Sequence, residues 1–356
     1  MMDNIARLRE KLPEGTDAFL ICASCNRFYF TGFRSSAGAL VVSRKGAWLF
    51  MDSRYFEAAS MVVQGCELIL MTRLRQQLAE LFEKEKISTV EPDTAYMSVA
   101  ELEGFRTAIP NCTFLTTGTL DREVVRMRMC KTADEVARMK EAQRLTDDAF
   151  TYILTRIQPG KTEMELALDL EFYVRNQGAD GAAFQFIFIS GEKTSLPHGV
   201  PGNRVLQKGD FITMDYGALV GGYCADMTRT VALGEPSEEM RRVYDIVLRA
   251  NLAGLEAAGP GKNCFDVDKV SRDLITQEGY GEYFGHGLGH SVGLEIHEEP
   301  RCSPSCREIL EPGMIMTIEP GIYLPGQFGV RIEDMILITE TGIENLTHSP
   351  KELIIL

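Results

Sequence analysis

The sequence predicts two domains: an α/β domain with a mixed sheet over residues 1–125, then a second domain over 126–356 built around a repeated pair of strands. Three observations carry this reading. A chain of 356 residues exceeds what one ordinary hydrophobic core organises. Strand-like and helix-like segments alternate through its first third. The segment GDFITMD (209–215) returns as GMIMTIE (313–319), with glycine, threonine and a terminal carboxylate in matching places.

Taken in order, DAFLICA (17–23) reads as a strand. GALVVS (38–43) and AWLFMD (47–52) flank the turn residues Arg44-Lys45-Gly46 as a hairpin, with Trp48 packing inside it. SRYFEAASMVV then reads as helix, ELILM as strand and LRQQLAELFEKE as helix. The charged stretch DREVVRMRMCKT (121–132) leads into the second domain. Thr132 and Glu135 form a capping box, and apolar residues from Val136 to Ile157 recur at helical spacing before Pro159-Gly160 stops the helix. Thr162 and Glu165 repeat the signature for a helix ending near Gly178. Two more helices follow, one after Ser237 and one spanning about 266–278, which stops at Gly279. Each half of the repeat continues through a glycine-containing turn into a second strand bearing another carboxylate, Asp226 in CADMTRTVAL and Glu333 in VRIEDMILIT.

The bulk composition narrows the function classes. At 45% hydrophobic and 25% charged the chain is a folding sequence, and its net charge of −14 repels phosphate backbones, which argues against a nucleic-acid partner. No run approaches the roughly 20 apolar residues of a membrane helix. The N-terminal MMDNIARLREKL lacks the apolar stretch of a secretion signal, so a cytoplasmic location without membrane attachment is expected. Nine cysteines are an odd count. Neither the CxxC at Cys22 and Cys25 nor the neighbours Cys302 and Cys306 has the second pair a structural zinc site requires, so all nine read as buried or surface thiols.

The chemistry concentrates in a few residues. Of the five histidines, His286, His290 and His297 share the segment HGLGHSVGLEIH and His198 sits in SLPHGVPG, while His348 lies apart and reads as surface. Gly287 and Gly289 argue against a zinc-binding helix at 286–290, and the glycines at 285, 287, 289 and 293 predict a tight loop approaching something closely. If the strand pairs bring Asp215, Asp226, Glu319 and Glu333 together, their repulsion demands protons or cations. Four carboxylates and one imidazole suit Mn²⁺, Co²⁺ or Zn²⁺. Bridging carboxylates hold two such ions close enough to activate water for hydrolysis.

These blocks carry a resemblance. SLPHGVP, MDYGALVGGYCADMTRT, GHGLGHSVGLEIHEEP, TIEPGIY and GVRIEDM resemble, in order, the signature blocks of the pita-bread metallopeptidases, the family of aminopeptidase P, prolidase and methionine aminopeptidase. TGFRSSAGALVVS and DSRYFEAA resemble the creatinase/prolidase-like N-terminal domain of the first two. The likeness implies an α+β pita-bread catalytic domain with a pseudo-twofold repeat. It implies a metal-dependent exopeptidase that hydrolyses the Xaa-Pro bond at peptide N-termini. Prolidase action on Xaa-Pro dipeptides is the alternative, and peptide binding without hydrolysis a further one. Two divalent ions per subunit, Mn²⁺ first and Co²⁺ or Zn²⁺ otherwise, are implied as the cofactors.

The same likeness implies roles. Asp215 would be a terminal ligand of one ion, Asp226 and Glu333 would bridge, and His290 and Glu319 would complete the second ion's shell. Glu319 would also shuttle a proton to the leaving nitrogen. His198 and His297 would flank a proline-containing peptide and stabilise the oxyanion. Arg331, two residues before Glu333, would share a strand face with it and orient the ligand carboxylates. His286 belongs either beside the ligands or to the packing. Arg301 and Arg307 are either cations for a substrate carboxylate or solvated loop residues. A homodimer is implied as well.

Overall fold

Short apolar runs in the first third form one six-stranded sheet in the computed structural model, which describes residues 4–356. The first three residues of the N-terminal segment therefore lie outside the described residues. The strands are β1 (Ala18–Ile21), β2 (Ala39–Ser43), β3 (Ala47–Met51), β4 (Glu67–Leu70), β5 (Thr89–Pro92) and β6 (Thr113–Phe114). Their order is β4-β3-β2-β1-β5-β6. β2 is antiparallel to both β1 and β3, and the other pairings are parallel, so the sheet is mixed. Trp48 stands opposite Val41 in the β2–β3 hairpin and is buried there, as read from the sequence.

The helices of this unit are α1 (Asn4–Glu10), α2 (Ser24–Thr31), α3 (Phe56–Val62), α4 (Leu74–Glu85), α5 (Val99–Ala108) and α6 (Thr119–Met129). Leu78 and Phe82 of α4 and Phe105 of α5 pack into one core with Leu20, Val41 and Phe50 of the sheet. The charged stretch is itself part of a helix. In α6, Leu120, Val124 and Met127 are buried at helical spacing while Arg122 and Arg126 face outward, a pattern its polarity conceals. Residue 125 falls inside this helix, and the chain divides into a unit ending at Arg128 and one spanning Met129–Leu356.

In the second unit both predicted capping boxes form. Thr132 opens α7 (Ala133–Leu154) and Thr162 opens α8 (Glu163–Asn176), each exchanging bonds with the glutamate three residues on. A cap of this kind stabilises a helix by about 1 kcal/mol. The apolar face of α7 buries Met139, Ala142, Leu145, Ala149 and Ile153. The strands are β7 (Gly181–Ala182), β8 (Ile187–Ser190), β9 (Asp210–Tyr216), β10 (Ala218–Val220), β11 (Tyr223–Cys224), β12 (Met227–Leu233), β13 (Gly289–Ser291), β14 (Glu298–Cys302), β15 (Ile315–Ile318), β16 (Gly321–Leu324), β17 (Phe328–Arg331), β18 (Asp334–Ile338) and β19 (Ile343–Asn345). Helices α9 (Glu238–Ala257) and α10 (Cys264–Gln277) separate the two groups of strands.

The sequence repeat becomes a structural one. β9 and β12 pair antiparallel along their whole length, and β15 pairs antiparallel with β18. Each pair is interrupted by a hairpin, β10–β11 in one half and β16–β17 in the other. The first of these turns at Gly221-Gly222, both at positive φ (54° and 88°), the geometry that a two-residue hairpin loop demands. A helix pair covers each half: α7 and α8 share a core with β8, β9 and β12, while Val243, Ile246 and Val247 of α9 and Val267 of α10 share one with β15 and β18.

Candidate metal centre

The antiparallel pairing explains why four carboxylates meet. Asp215 lies near the end of β9, opposite Thr228, and Asp226 immediately precedes β12. Glu319 follows β15 and Glu333 precedes β18, next to the closing pair Ile318 and Asp334. Each strand pair thus delivers a strand-end acid and a strand-start acid at one edge. His290 comes from β13, the neighbour of β15.

Two local expectations need correction. The glycine-rich segment is loop at Gly285, Gly287 and Gly293, as expected, but Gly289 and His290 sit on a strand. What approaches Gly289 is the neighbouring strand β15: a Cβ there would stand 1.9 Å from the Thr317 carbonyl oxygen. Nor do Arg331 and Glu333 share a strand. β17 ends at Arg331 and β18 begins at Asp334, because Glu333 N–H turns aside to donate to Thr228 O at 3.1 Å. Arg331 reaches Asp215 instead, and touches Glu333 only through Thr228.

The inner geometry is tight. Donor atoms of Asp226, His290 and Glu333 all lie within 4.8 Å of one another. His290 Nε2 is 3.6 Å from Asp226 Oδ2 and 3.4 Å from Glu319 Oε1. His290 Nδ1 lies 3.1 Å from the Ser291 carbonyl oxygen, which only accepts, so Nδ1 carries the hydrogen and Nε2 presents a lone pair to the carboxylates. The backbone N–H of His290 donates to Thr317 Oγ1 at 3.0 Å, and that hydroxyl donates to Glu319 Oε1 at 3.3 Å.

Around these, Arg331 Nη2 donates to Asp215 Oδ2 at 2.6 Å. Its Nη1 donates to Pro197 O (3.1 Å) and Tyr323 Oη (2.9 Å), and its Nε to Thr228 Oγ1 (2.9 Å). Thr228 in turn donates to Glu333 Oε2 at 2.7 Å. His286 completes the chain: its Nδ1 faces Gly287 O at 2.8 Å, leaving Nε2 to accept from Tyr323 Oη at 2.9 Å. Tyr323 stood in a recognised block without a role, and Thr228 and Thr317 looked like ordinary strand threonines. The threonine shared by the two repeats was the one available signal for Thr317.

The electrostatics follow from burial. Burial, then Glu333, Asp215 and Glu319, push the Asp226 carboxyl well above the usual carboxylate range. Burial, then Glu319 and Asp215, do the same to Glu333, with Arg331 opposing. Burial raises Asp215 against the pull of Arg331. Burial likewise raises Glu319 to about 8, Arg331 again opposing. Burial, then the neighbouring His297, press His290 down to about 3, so its imidazole is neutral.

A divalent cation fits this set. Oxygen and imidazole ligand atoms of Asp226, His290 and Glu333 converge, and Asp215 Oδ1 is buried without a hydrogen-bond partner. A cation supplies the positive charge that burial and mutual repulsion here lack.

The cluster opens into a cavity of about 1110 Å³, which His198, His286, His297, Arg301 and Tyr323 also line. The His297 ring stands edge-to-face to His290, with centroids 4.5 Å apart. Burial and then Arg301 lower the His297 pKa. Arg301 is 58% exposed, with Glu299 3.5 Å from its Nε. Arg307 lies over the Phe265 ring instead, and His348 is 79% exposed on the surface.

Comparison with known proteins decides the family. Residues 137–340 match metallopeptidase family M24, and residues 4–130 match the creatinase/prolidase N-terminal domain. The chain belongs to metallopeptidase family M24. The second unit of this M24 peptidase has the pita-bread fold, the first is a creatinase-type N-terminal domain, and the chain is a hydrolase. It resembles the solved Xaa-Pro dipeptidase from Bacillus anthracis with a TM-score of 0.96 and 41% identity, over 100% of this chain and 99% of that one. The X-Pro aminopeptidase structure from Thermotoga maritima MSB8 gives a TM-score of 0.92 and 36% identity, over 99% and 100%. The Xaa-Pro dipeptidase of Pyrococcus furiosus is 34% identical over 357 aligned positions, covering 99% of this chain and 100% of the relative.

Proposed function

We propose that this M24 peptidase hydrolyses Xaa-Pro dipeptides, with Asp215, Asp226, His290, Glu319 and Glu333 holding two divalent ions, Mn²⁺ by preference and Co²⁺ or Zn²⁺ otherwise. The observation that carries the dipeptide reading is Arg301, an accessible guanidinium in the cavity that also holds the acidic cluster. In a dipeptide the C-terminal carboxylate lies one residue from the scissile bond, within reach of such a cation. The resemblance to the Bacillus anthracis and Pyrococcus furiosus dipeptidases supports the same reading. Cleavage at the N-terminus of longer Xaa-Pro peptides is the second reading, supported by the resemblance to the Thermotoga maritima aminopeptidase.

When bound, the ions supply Lewis acidity that lowers the pKa of water and polarises the scissile carbonyl. The chain's own residues do the rest. Glu319, whose Oε1 lies 3.4 Å from His290 Nε2 in the cluster, takes the proton of the attacking water and passes it to the proline nitrogen as the bond breaks. A tertiary Xaa-Pro amide has no N–H, so its leaving nitrogen depends on this delivery. His297, its pKa lowered first by burial, offers an N–H to the developing oxyanion, and His198 lines the same cavity. Arg331 holds Asp215 in place and favours its ionised form against the effect of burial.

The thiols of Cys22, Cys112, Cys264, Cys302 and Cys306 support the cytoplasmic, reducing location, and the homodimer implied by the family likeness completes the reading. The test is a peptide series under one metal: an Xaa-Pro dipeptide, Xaa-Pro-Yaa and longer chains. Proline release from the dipeptide alone supports the first reading, and efficient cleavage of the longer peptides replaces it with the second.

A further inference from the structure

The ladder between β15 and β18 closes at Ile318 and Asp334. Continued by one step, that register would set Glu319 opposite Glu333, two like charges in the position where cross-strand repulsion is strongest. Something must hold the strand ends together there. The peptide N–H groups of the two glutamates are already engaged outward, Glu319 to Leu288 O at 2.7 Å and Glu333 to Thr228 O at 3.1 Å.

Asn251, in the middle of α9 and fully buried, occupies the gap. Its Nδ2 donates to Ile318 O at 2.9 Å and to Ile332 O at 3.3 Å. These are the carbonyls of the peptide units that lead into Glu319 and Glu333. The other end of the amide, Oδ1, accepts from Lys351 Nζ at 3.2 Å. This fixes the orientation of the amide, since an ammonium faces only an acceptor and two carbonyls face only a donor. Lys351 also bonds Asp334, the first residue of β18, whose other oxygen accepts from Arg229 Nη2 at 2.7 Å. One side-chain amide therefore ties together the backbone behind two carboxylates of the site.

We propose that Asn251 is a positioning residue: by clamping the Ile318 and Ile332 carbonyls from one NH₂ group it sets the separation of Glu319 and Glu333, and with it the affinity of the site for a divalent cation. The inference rests on the metal-centre reading given above. A group that orients metal ligands from behind typically changes affinity 10–100-fold when lost. A residue that only packs α9 against the sheet changes stability and leaves affinity alone.

The experiment is calorimetric titration of Mn²⁺ into chelator-stripped protein, for the wild type, Asn251→Leu and a control, Leu170→Ala, which opens a core cavity on α8. The proposal predicts at least about tenfold weaker Mn²⁺ binding in Asn251→Leu. It predicts wild-type affinity in Leu170→Ala, even where its thermal midpoint falls as far. Wild-type affinity and stoichiometry in Asn251→Leu overturn the proposal. Should that variant fail to fold, Lys351→Met, which frees the amide and leaves the donors in place, carries the same test: weakened binding is predicted, and unchanged binding overturns it. Wild-type protein that binds no Mn²⁺ overturns the metal-centre reading itself, a separate failure.

Discussion

Arg331 Nη2 and Asp215 Oδ2 meet at 2.6 Å with both side chains almost wholly removed from water. This pair joins the two halves of the repeat, since Asp215 is the penultimate residue of β9 and Arg331 ends β17. The guanidinium uses the rest of its fork on Pro197, Tyr323 and Thr228. A lysine keeps the charge but has no planar fork to satisfy four partners. Arg331→Lys is therefore expected to lose about 10–100-fold in metal affinity. Metal titration checks it, and binding equal to wild type would show that charge alone suffices.

Glu319 lines the cavity, with Oε1 3.4 Å from His290 Nε2, where a proton carrier is needed. Glu319→Gln preserves shape and one acceptor oxygen but carries no transferable proton. Turnover is expected to fall by about 10²–10⁴ while Xaa-Pro binding, measured by inhibition with a slow substrate, survives. A wild-type rate in this variant removes Glu319 from the mechanism.

Much of this arrangement is legible in the sequence, for physical reasons that differ by element. Thr132 with Glu135 and Thr162 with Glu165 announce helix starts because capping is local chemistry. LRQQLAELFEKE reads as helix because its apolar spacing is undisturbed by glycine or proline, and it forms over those twelve residues. The four acids are legible because the repeat places each at a strand boundary. Helix α6 escaped notice because its buried face, Leu120, Val124, Met127 and Met129, is set among many charges, one of which, Arg128, is itself buried. The strand at His290 escaped because glycine propensity argues for loop, while the close pass of Thr317 requires glycine in a strand. Tyr323 and Asn251 have no local signature. Their importance lies in partners distant in sequence, Arg331 and His286 for one, the strand ends for the other.

The pH dependence of the metal-free protein has a definite sign. Glu319 is raised in the folded state from 4.5 to about 8, so the native protein binds more protons than the unfolded chain between those values. Stability from this group is full below 4.5 and is lost as pH rises through 8. His290, lowered from 6.5 to about 3, acts oppositely, but only below 6.5. From pH 6.5 to 8 the Glu319 effect is unopposed by His290, and Asp226 and Glu333, also raised, act in the same direction. Metal-free protein is expected to lose on the order of 1–2 kcal/mol across that window. Saturating Mn²⁺ should abolish the loss. Denaturant titrations at both ends, with and without metal, check it, and a metal-free protein that gains stability over the window contradicts it.

Arg301 distinguishes ground-state binding from chemistry. Arg301→Gln removes an accessible cation of the cavity and leaves all five acid and imidazole groups present, with His290 its cross-strand neighbour. The Michaelis constant for an Xaa-Pro dipeptide is expected to rise about 10–100-fold, the value of a charge-assisted hydrogen bond of 1.5–3 kcal/mol, with kcat nearly unchanged. Equal effects on dipeptide and tripeptide would detach Arg301 from carboxylate recognition.

The central claim is that Asp215, Asp226, His290, Glu319 and Glu333 form a two-ion hydrolytic site. Its most direct measurement is proline release from an Xaa-Pro dipeptide by chelator-stripped protein, followed as Mn²⁺ is added back. The account predicts no hydrolysis in the stripped protein and full activity near two equivalents of metal per chain. Full hydrolysis after stripping, or none with Mn²⁺, Co²⁺ or Zn²⁺, would contradict it.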